Sequence, residues 1–135
     1  MQGSSVAADK RSVLLVEDDN FLRDIFSRKL SDTFDLTSTA SGKEALEIVK
    51  EKKPILVLLD LNLPDENGFD VLREIRENEE LKDTLVLILT NSVLSEDITK
   101  SNELKADDFI TKADFSMDDI INRIEKHIQS RVLSK

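Results

Sequence analysis

Residues 55–60 read Ile55-Leu56-Val57-Leu58-Leu59-Asp60, five apolar side chains in unbroken succession closed by a carboxylate. A strand with one face in water alternates apolar and polar residues, whereas a strand buried on both faces reads as a continuous apolar run. Two similar runs lie on either side, Val13-Leu14-Leu15-Val16 upstream and Leu85-Val86-Leu87-Ile88-Leu89 downstream. Strands covered on both faces need helices above and below them, which predicts parallel pairing through helical crossovers.

The intervening segments supply those helices. Phe21, Leu22, Ile25, Phe26 and Leu30 recur at helical spacing, as do Ala45, Leu46, Ile48 and Val49, and then Phe69, Leu72 and Ile75. Ser41-Gly42-Lys43-Glu44 is a capping-box pattern and Pro54 punctuates the end of the helix it opens. Ser95 to Leu104 forms a thinner helix with Ile98 and Leu104 as its clearest apolar positions. Ser116-Met117-Asp118-Asp119 is a second capping box, and it opens a stripe of Met117, Ile120, Ile121, Ile124 and Ile128. Phe34 to Thr39, with strand composition and alternation at its start, and Phe109-Ile110, in a short strand, complete the set. Five strands alternate with five helices, so the fold class is α/β: a doubly wound three-layer sandwich of (βα)5 type.

The chain has 135 residues, the length of one ordinary domain, with residues 1–11 read as a flexible leader, 12–131 as the folded unit and 132–135 as a tail. It contains no cysteine, which excludes disulfides, a thiolate zinc site and a cysteine nucleophile. Its 28 acidic against 19 basic residues leave a net charge of −9, which disfavours direct nucleic-acid binding. No apolar run approaches the roughly 18 residues of a membrane-spanning helix, and the first 11 residues lack the apolar core of a secretory signal. A soluble, cytoplasmic protein without a membrane partner is expected.

Ligands of doubly wound sheets collect at the carboxyl ends of the strands. There the polar residues Glu17-Asp18-Asp19, Asp60, Thr90 and Lys112 each follow an apolar stretch. Taken singly, each is an ordinary turn residue or solvated group. Brought together, several carboxylates would repel one another unless a cation compensates. Lys112 supplies one positive charge, and a divalent metal with oxygen ligands is the natural remainder: Mg²⁺, with Mn²⁺ as substitute.

Glu17-Asp18, the stretch Asp60-Leu61-Asn62-Leu63-Pro64-Asp65-Glu66-Asn67-Gly68, Thr90 and Lys112 resemble the receiver domain of two-component response regulators, the CheY-like superfamily. The resemblance spans residues 12 to about 131. It implies a flavodoxin-like sheet of order 2-1-3-4-5. It also implies that Asp60 accepts a phosphoryl group from a phosphohistidine on a sensor histidine kinase or phosphotransfer protein. Glu17, Asp18, Asp60 and the backbone carbonyl of Asn62 would hold Mg²⁺, while Lys112 and Thr90 would bind phosphoryl oxygens. Thr90 and Phe109 match the family's switch pair, and Asn62 and Ser92 match positions that tune phosphoryl lifetime. Such a domain catalyses its own phosphorylation and dephosphorylation, yet acts as a signalling switch and not as a metabolic enzyme. Its output, through a downstream protein or a fused output domain, would use the face of the last two helices and last strand, where a homodimer would also form. The chain is read as either a stand-alone regulator or a receiver excised from a longer protein.

Three positions depart from the family pattern: Glu17 replaces an aspartate often found there and should still contact the metal through water, Lys105 stands where many relatives have glycine, and Ala113 follows Lys112 where proline is usual. A cis peptide before alanine would cost about 3 kcal/mol, so a trans bond and a rearranged loop are expected. This departure keeps open the alternative of a pseudo-receiver, a protein-binding module that takes no phosphate. A Mg²⁺-dependent phosphohydrolase is a weaker reading, because Asn62 occupies the position of the second acid such enzymes carry. His127, the one histidine, is read as a surface residue of the last helix, and Met117 as core.

Overall fold

A computed structural model describes residues 11–133 of the chain. The leader expected at 1–11, Arg11 apart, and residues 134–135 of the expected tail lie outside the described residues. The elements follow in the order β1 (Ser12–Val16), α1 (Asn20–Leu30), β2 (Asp35–Thr39), α2 (Gly42–Lys52), β3 (Leu56–Leu59), α3 (Gly68–Glu77), β4 (Leu85–Thr90), α4 (Ser95–Glu103), β5 (Asp108–Thr111) and α5 (Met117–Leu133). The final helix therefore runs two residues into the segment expected as a tail.

All strand pairs are parallel and the sheet order is β2-β1-β3-β4-β5, the flavodoxin-like order. The continuous apolar runs occupy the centre. Every residue of β3 and β4 is buried, because successive side chains pass to opposite faces and both faces are covered. Leu14, Val16, Val57, Leu59, Val86 and Ile88 pack with α2 and α3 residues such as Val49, Leu72 and Ile75. Val13, Leu15, Leu56, Leu58, Leu87 and Leu89 pack on the other face with Phe26 and Leu30 of α1 and Ile120, Ile124 and Ile128 of α5. Truncating any of these central leucines to alanine would cost about 2–5 kcal/mol.

The register brings the strand ends level. Val16 lies beside Leu59, Leu59 beside Ile88, and Thr90 beside Thr111. The residues just beyond these pairs therefore share one edge of the sheet.

Several local expectations change. Phe21 and Ile25 fit the helical spacing of α1 but are 73% and 39% exposed, leaving Phe26 and Leu30 to anchor the helix. In α4 the buried residue is Ser101, not Ile98, which is 39% exposed. The Ser41 hydroxyl caps α2 by accepting from the Glu44 amide at 3.1 Å. The reciprocal bond is replaced, however: the Ser41 amide donates to Thr39 Oγ1 at 3.2 Å, and the Glu44 carboxylate accepts from the Thr39 hydroxyl. The second box is reciprocal, with Asp119 N–H on Ser116 Oγ at 3.1 Å and Ser116 N–H on Asp119 Oδ2 at 3.2 Å. Lys105 adopts φ 66°, a left-handed conformation in which glycine is at home and a side chain costs roughly 1–2 kcal/mol. The Lys105 carbonyl accepts from Arg76 Nε at 2.9 Å.

Candidate functional site

The site is assembled at the carboxyl edge of β1, β3, β4 and β5. Glu17 and Asp60 continue the ladder one residue past their strands: the Glu17 amide donates to Thr39 O at 3.0 Å and the Asp60 amide to Val16 O at 3.1 Å. Their backbones are thus fixed by the sheet, and both side chains are buried, at 1% and 6% exposure, while Asp18 is exposed. Lys112, one residue beyond β5, reaches across the edge so that its Nζ lies 2.5 Å from Glu17 Oε1 and 3.3 Å from Asp60 Oδ2. The second oxygen of each acid is also engaged, Glu17 Oε2 by the Asp19 amide at 3.2 Å and Asp60 Oδ1 by the Asn62 amide at 3.1 Å.

Burial raises the Glu17 pKa, and the hydrogen bond and charge of Lys112 counter that only in part. For Lys112 burial acts downward, but the Glu17 hydrogen bond and the charges of Asp60 and Glu17 outweigh it, so the ammonium is held above its ordinary value. The lysine is therefore charged at neutral pH. Its aim does not depend on a following proline: Lys112–Asp114 form a 3-10 turn, and the described residues include no cis peptide bond.

Carboxylate oxygens of Glu17, Asp18 and Asp60 lie within 4.8 Å of one another. That donor set, all oxygen and half sheltered, fits a hard divalent cation such as Mg²⁺ or Mn²⁺. Thr90 is fully buried, and its hydroxyl accepts from the Ser92 amide at 3.3 Å while keeping its own proton to donate. Phe109 pairs with Ile88 in register, which puts its half-buried ring on the same face as Thr90, one diagonal step away. Asn62 is exposed. The Ser92 hydroxyl donates to Asp97 Oδ2 at 2.5 Å and accepts from the Leu94 amide at 3.3 Å, so it is engaged with the start of α4. Asp19 and Asn67 are helix caps, accepting from the amides of Leu22 at 3.0 Å and Phe69 at 2.8 Å. Gly68 does not serve a positive φ. A Cβ there would meet the Asp60 carbonyl oxygen at 2.4 Å, so glycine is needed for close approach.

His127 proves to be structural. Its Nε2 lies 2.9 Å from Asp108 Oδ2, and Arg123 donates to both oxygens of the same carboxylate at 2.8 and 2.7 Å. This cluster sits at the amino end of β5, away from the site. A cleft of about 520 Å³ at that same edge is lined by Arg73, Arg76 and Lys82, whose charges pair with Asp70, Asp107 and Glu79. One residue that sequence reasoning passed over is Asp65, whose carboxylate bonds the amino end of α2. Its only signal was an acid inside the loop motif.

The fold and the edge cluster define a flavodoxin-like protein with a charged, acid-rich site at the carboxyl ends of its strands. The family model for the response regulator receiver domain matches residues 13–125, and the chain belongs to that family. It is 35% identical over 121 residues to the transcriptional regulatory protein GltR of Pseudomonas aeruginosa, covering 89% of this chain and 50% of that protein. The chain thus spans about half the length of this curated relative. Among solved structures it is similar to the BeF3-activated DrrB receiver domain, with a TM-score of 0.79 and 28% identity over 89% of this chain and 98% of that one. It is also similar to the Mn²⁺-bound response regulator Rcp1, with a TM-score of 0.72 and 31% identity over 80% of this chain and 85% of that one. Among the described residues, no helix is long and apolar enough to cross a membrane.

Proposed function

We propose that this receiver domain accepts a phosphoryl group on Asp60 from a phosphohistidine of a sensor histidine kinase or phosphotransfer protein, in the cytoplasm, and signals by a change of conformation. The observation that carries the proposal is the convergence of Glu17, Asp18 and Asp60 oxygens within 4.8 Å, with the Lys112 ammonium 3.3 Å from Asp60. Glu17, Asp18, Asp60 and the Asn62 carbonyl would hold Mg²⁺, which when bound neutralises charge on the phosphoryl oxygens. The Asp60 carboxylate attacks phosphorus; an O–P bond forms as the P–N bond to the partner's imidazole breaks, and the electron pair stays on the imidazole nitrogen. Lys112, held charged by its neighbours, stabilises the oxygens as charge redistributes. Water later cleaves the acyl phosphate, returning the Asp60 carboxylate and releasing inorganic phosphate.

The buried Thr90 hydroxyl, with a proton to donate, bonds a phosphoryl oxygen once the group is present. Its movement opens space on the face it shares with Phe109. Phosphorylation then favours one of two pre-existing arrangements of α4, β5 and α5, which contact an output domain or a separate downstream protein. GltR is named a transcriptional regulator, and the half of it that this chain matches supports a comparable arrangement.

Intact-mass analysis after incubation with acetyl phosphate tests the proposal. A single phosphoryl adduct is expected in wild type with Mg²⁺ and in neither the metal-free sample nor Asp60→Asn. Absence of the adduct together with failure to bind beryllofluoride would refute it and favour a pseudo-receiver that binds partners without phosphate.

A further inference from the structure

The loop from Leu61 to Asn67 carries the backbone that flanks Asp60, and its two ends are closed by its own bonds. The Gly68 amide donates to Leu61 O at 2.9 Å, and Asn62 pairs with Asn67 in an isolated antiparallel bridge. Its outer turn is held from elsewhere. Asp65 Oδ1 accepts from the Gly42 amide at 2.9 Å, and Oδ2 accepts from the Ser41 hydroxyl at 2.8 Å and the Lys43 amide at 3.2 Å. Gly42 and Lys43 open α2, so an acid from another crossover fills the place where a helix presents unpaired amides and the positive end of its dipole.

The same corner also grips the other half of the site. Ser41 N–H donates to Thr39 Oγ1 at 3.2 Å, and the Thr39 carbonyl accepts the Glu17 amide at 3.0 Å. A continuous path of bonds therefore runs from Glu17 through Thr39 and Ser41 to Asp65 and the loop that follows Asp60. The packing agrees, since the Cβ position of Gly42 is 3.1 Å from Glu66 Cβ and 3.3 Å from Leu63 Cδ1.

We propose that Asp65 is a positioning residue: by clamping the loop after Asp60 onto the amino end of α2, it sets the affinity of the acidic site for its divalent cation. This rests on the phosphoacceptor reading, in which the Asn62 carbonyl joins Glu17, Asp18 and Asp60 around the metal. Bonds from the Gly42 amide and the Ser41 hydroxyl, with help from Lys43, hold the Asp65 pKa at about 2, so the clamp is ionised throughout the physiological range. Outer groups that orient metal ligands typically change affinity by tenfold or more when removed.

The test titrates Mn²⁺ into wild type, Asp65→Ala and Asp65→Asn, following free Mn²⁺ by electron paramagnetic resonance, with amide exchange at Gly42 and Lys43 measured alongside. Asp65→Ala is expected to weaken Mn²⁺ by about tenfold and to speed exchange at both amides. Asp65→Asn keeps an acceptor for Gly42 but loses one oxygen, so it falls between. In acetyl phosphate labelling, half-saturating Mg²⁺ rises for Asp65→Ala while the rate at saturating Mg²⁺ stays within about twofold, a split that general loosening of the fold would not produce. If Asp65→Ala does not fold, Asp65→Asn and its faster Lys43 exchange carry the test. Wild-type affinity in a variant whose amides exchange faster would overturn the proposal, as would unchanged exchange. A wild type that neither binds Mn²⁺ nor forms the adduct would overturn the phosphoacceptor reading as well.

Discussion

Replacing Gly68 with alanine places a methyl group 2.4 Å from the Asp60 carbonyl oxygen and 2.6 Å from Leu61 Cα. Ordinary non-bonded separations begin at about 3.5 Å, so one backbone must retreat by roughly 1 Å. Both obstacles are main-chain atoms and cannot rotate away. Overpacking of this kind costs about 1–3 kcal/mol. The Gly68–Leu61 hydrogen bond of 2.9 Å would be stretched, at about 1 kcal/mol more. Against this, alanine gains up to about 1 kcal/mol over glycine in a helix, and less at its first residue. The net loss is about 2 kcal/mol. With a urea m-value of about 2 kcal/mol/M, the denaturation midpoint should fall by roughly 1 M. Gly42→Ala is the comparison, because its Cβ would meet only side-chain atoms of Glu66, Val71 and Leu63 at 3.1 to 3.3 Å. Its midpoint should move by less than half as much. Equal midpoints for Gly68→Ala and wild type would refute the close-approach argument.

Lys112→Met leaves Glu17 and Asp60 buried without their cation, and its melting temperature is expected to fall and then to rise more steeply with Mg²⁺ than that of wild type in thermal scans. Asp108→Ala strands Arg123 and His127 and should cost about 2 kcal/mol by urea denaturation. Asp65 has a folded pKa of about 2, below the ordinary 3.8, so its contribution to stability is present above the ordinary value and lost as pH falls through the folded one. The midpoint difference between wild type and Asp65→Asn should therefore hold near neutrality and shrink below about pH 4. Asn62→Arg is expected to slow loss of the phosphoryl group by crowding the water route, as followed by adduct decay in intact-mass spectra, and unchanged decay would remove Asn62 from that role.

The central strands were legible because burial on both faces leaves a run of apolar residues that needs no partner to be recognised. Their ends were legible for the same reason: Glu17, Asp60 and Thr90 stand where those runs stop, whereas Lys112 follows the short edge strand β5, whose burial leaves no such run. The expected reciprocal bond between Ser41 and Glu44 failed because Thr39 takes both of its groups, accepting from the Ser41 amide and donating to the Glu44 carboxylate. That competition depends on how the end of β2 turns into α2, and no periodicity encodes it. His127 is partly exposed on the last helix, as read, but its bond to Asp108 was not legible because that partner belongs to a different element. Phe21 shows the reverse limit: helical spacing marks a stripe but not where the stripe ends.

Among the described helices, α4 is attached most lightly. It buries Ser101, leaves Ile98 39% exposed, and starts at Ser95 with no side-chain cap from the preceding Leu94. Segments with so little buried surface open independently, at a small fraction of the free energy that unfolds the whole domain. Amide protons in α4 should therefore exchange long before those of β3, where all four residues are buried. The adjoining loop, Asn91 to Leu94, joins it directly to Thr90. In the proposed phosphorylated state, a new hydrogen bond at that threonine, worth only about 1 kcal/mol, is small against the stability of the sheet but weighs more on a helix held by so few buried side chains.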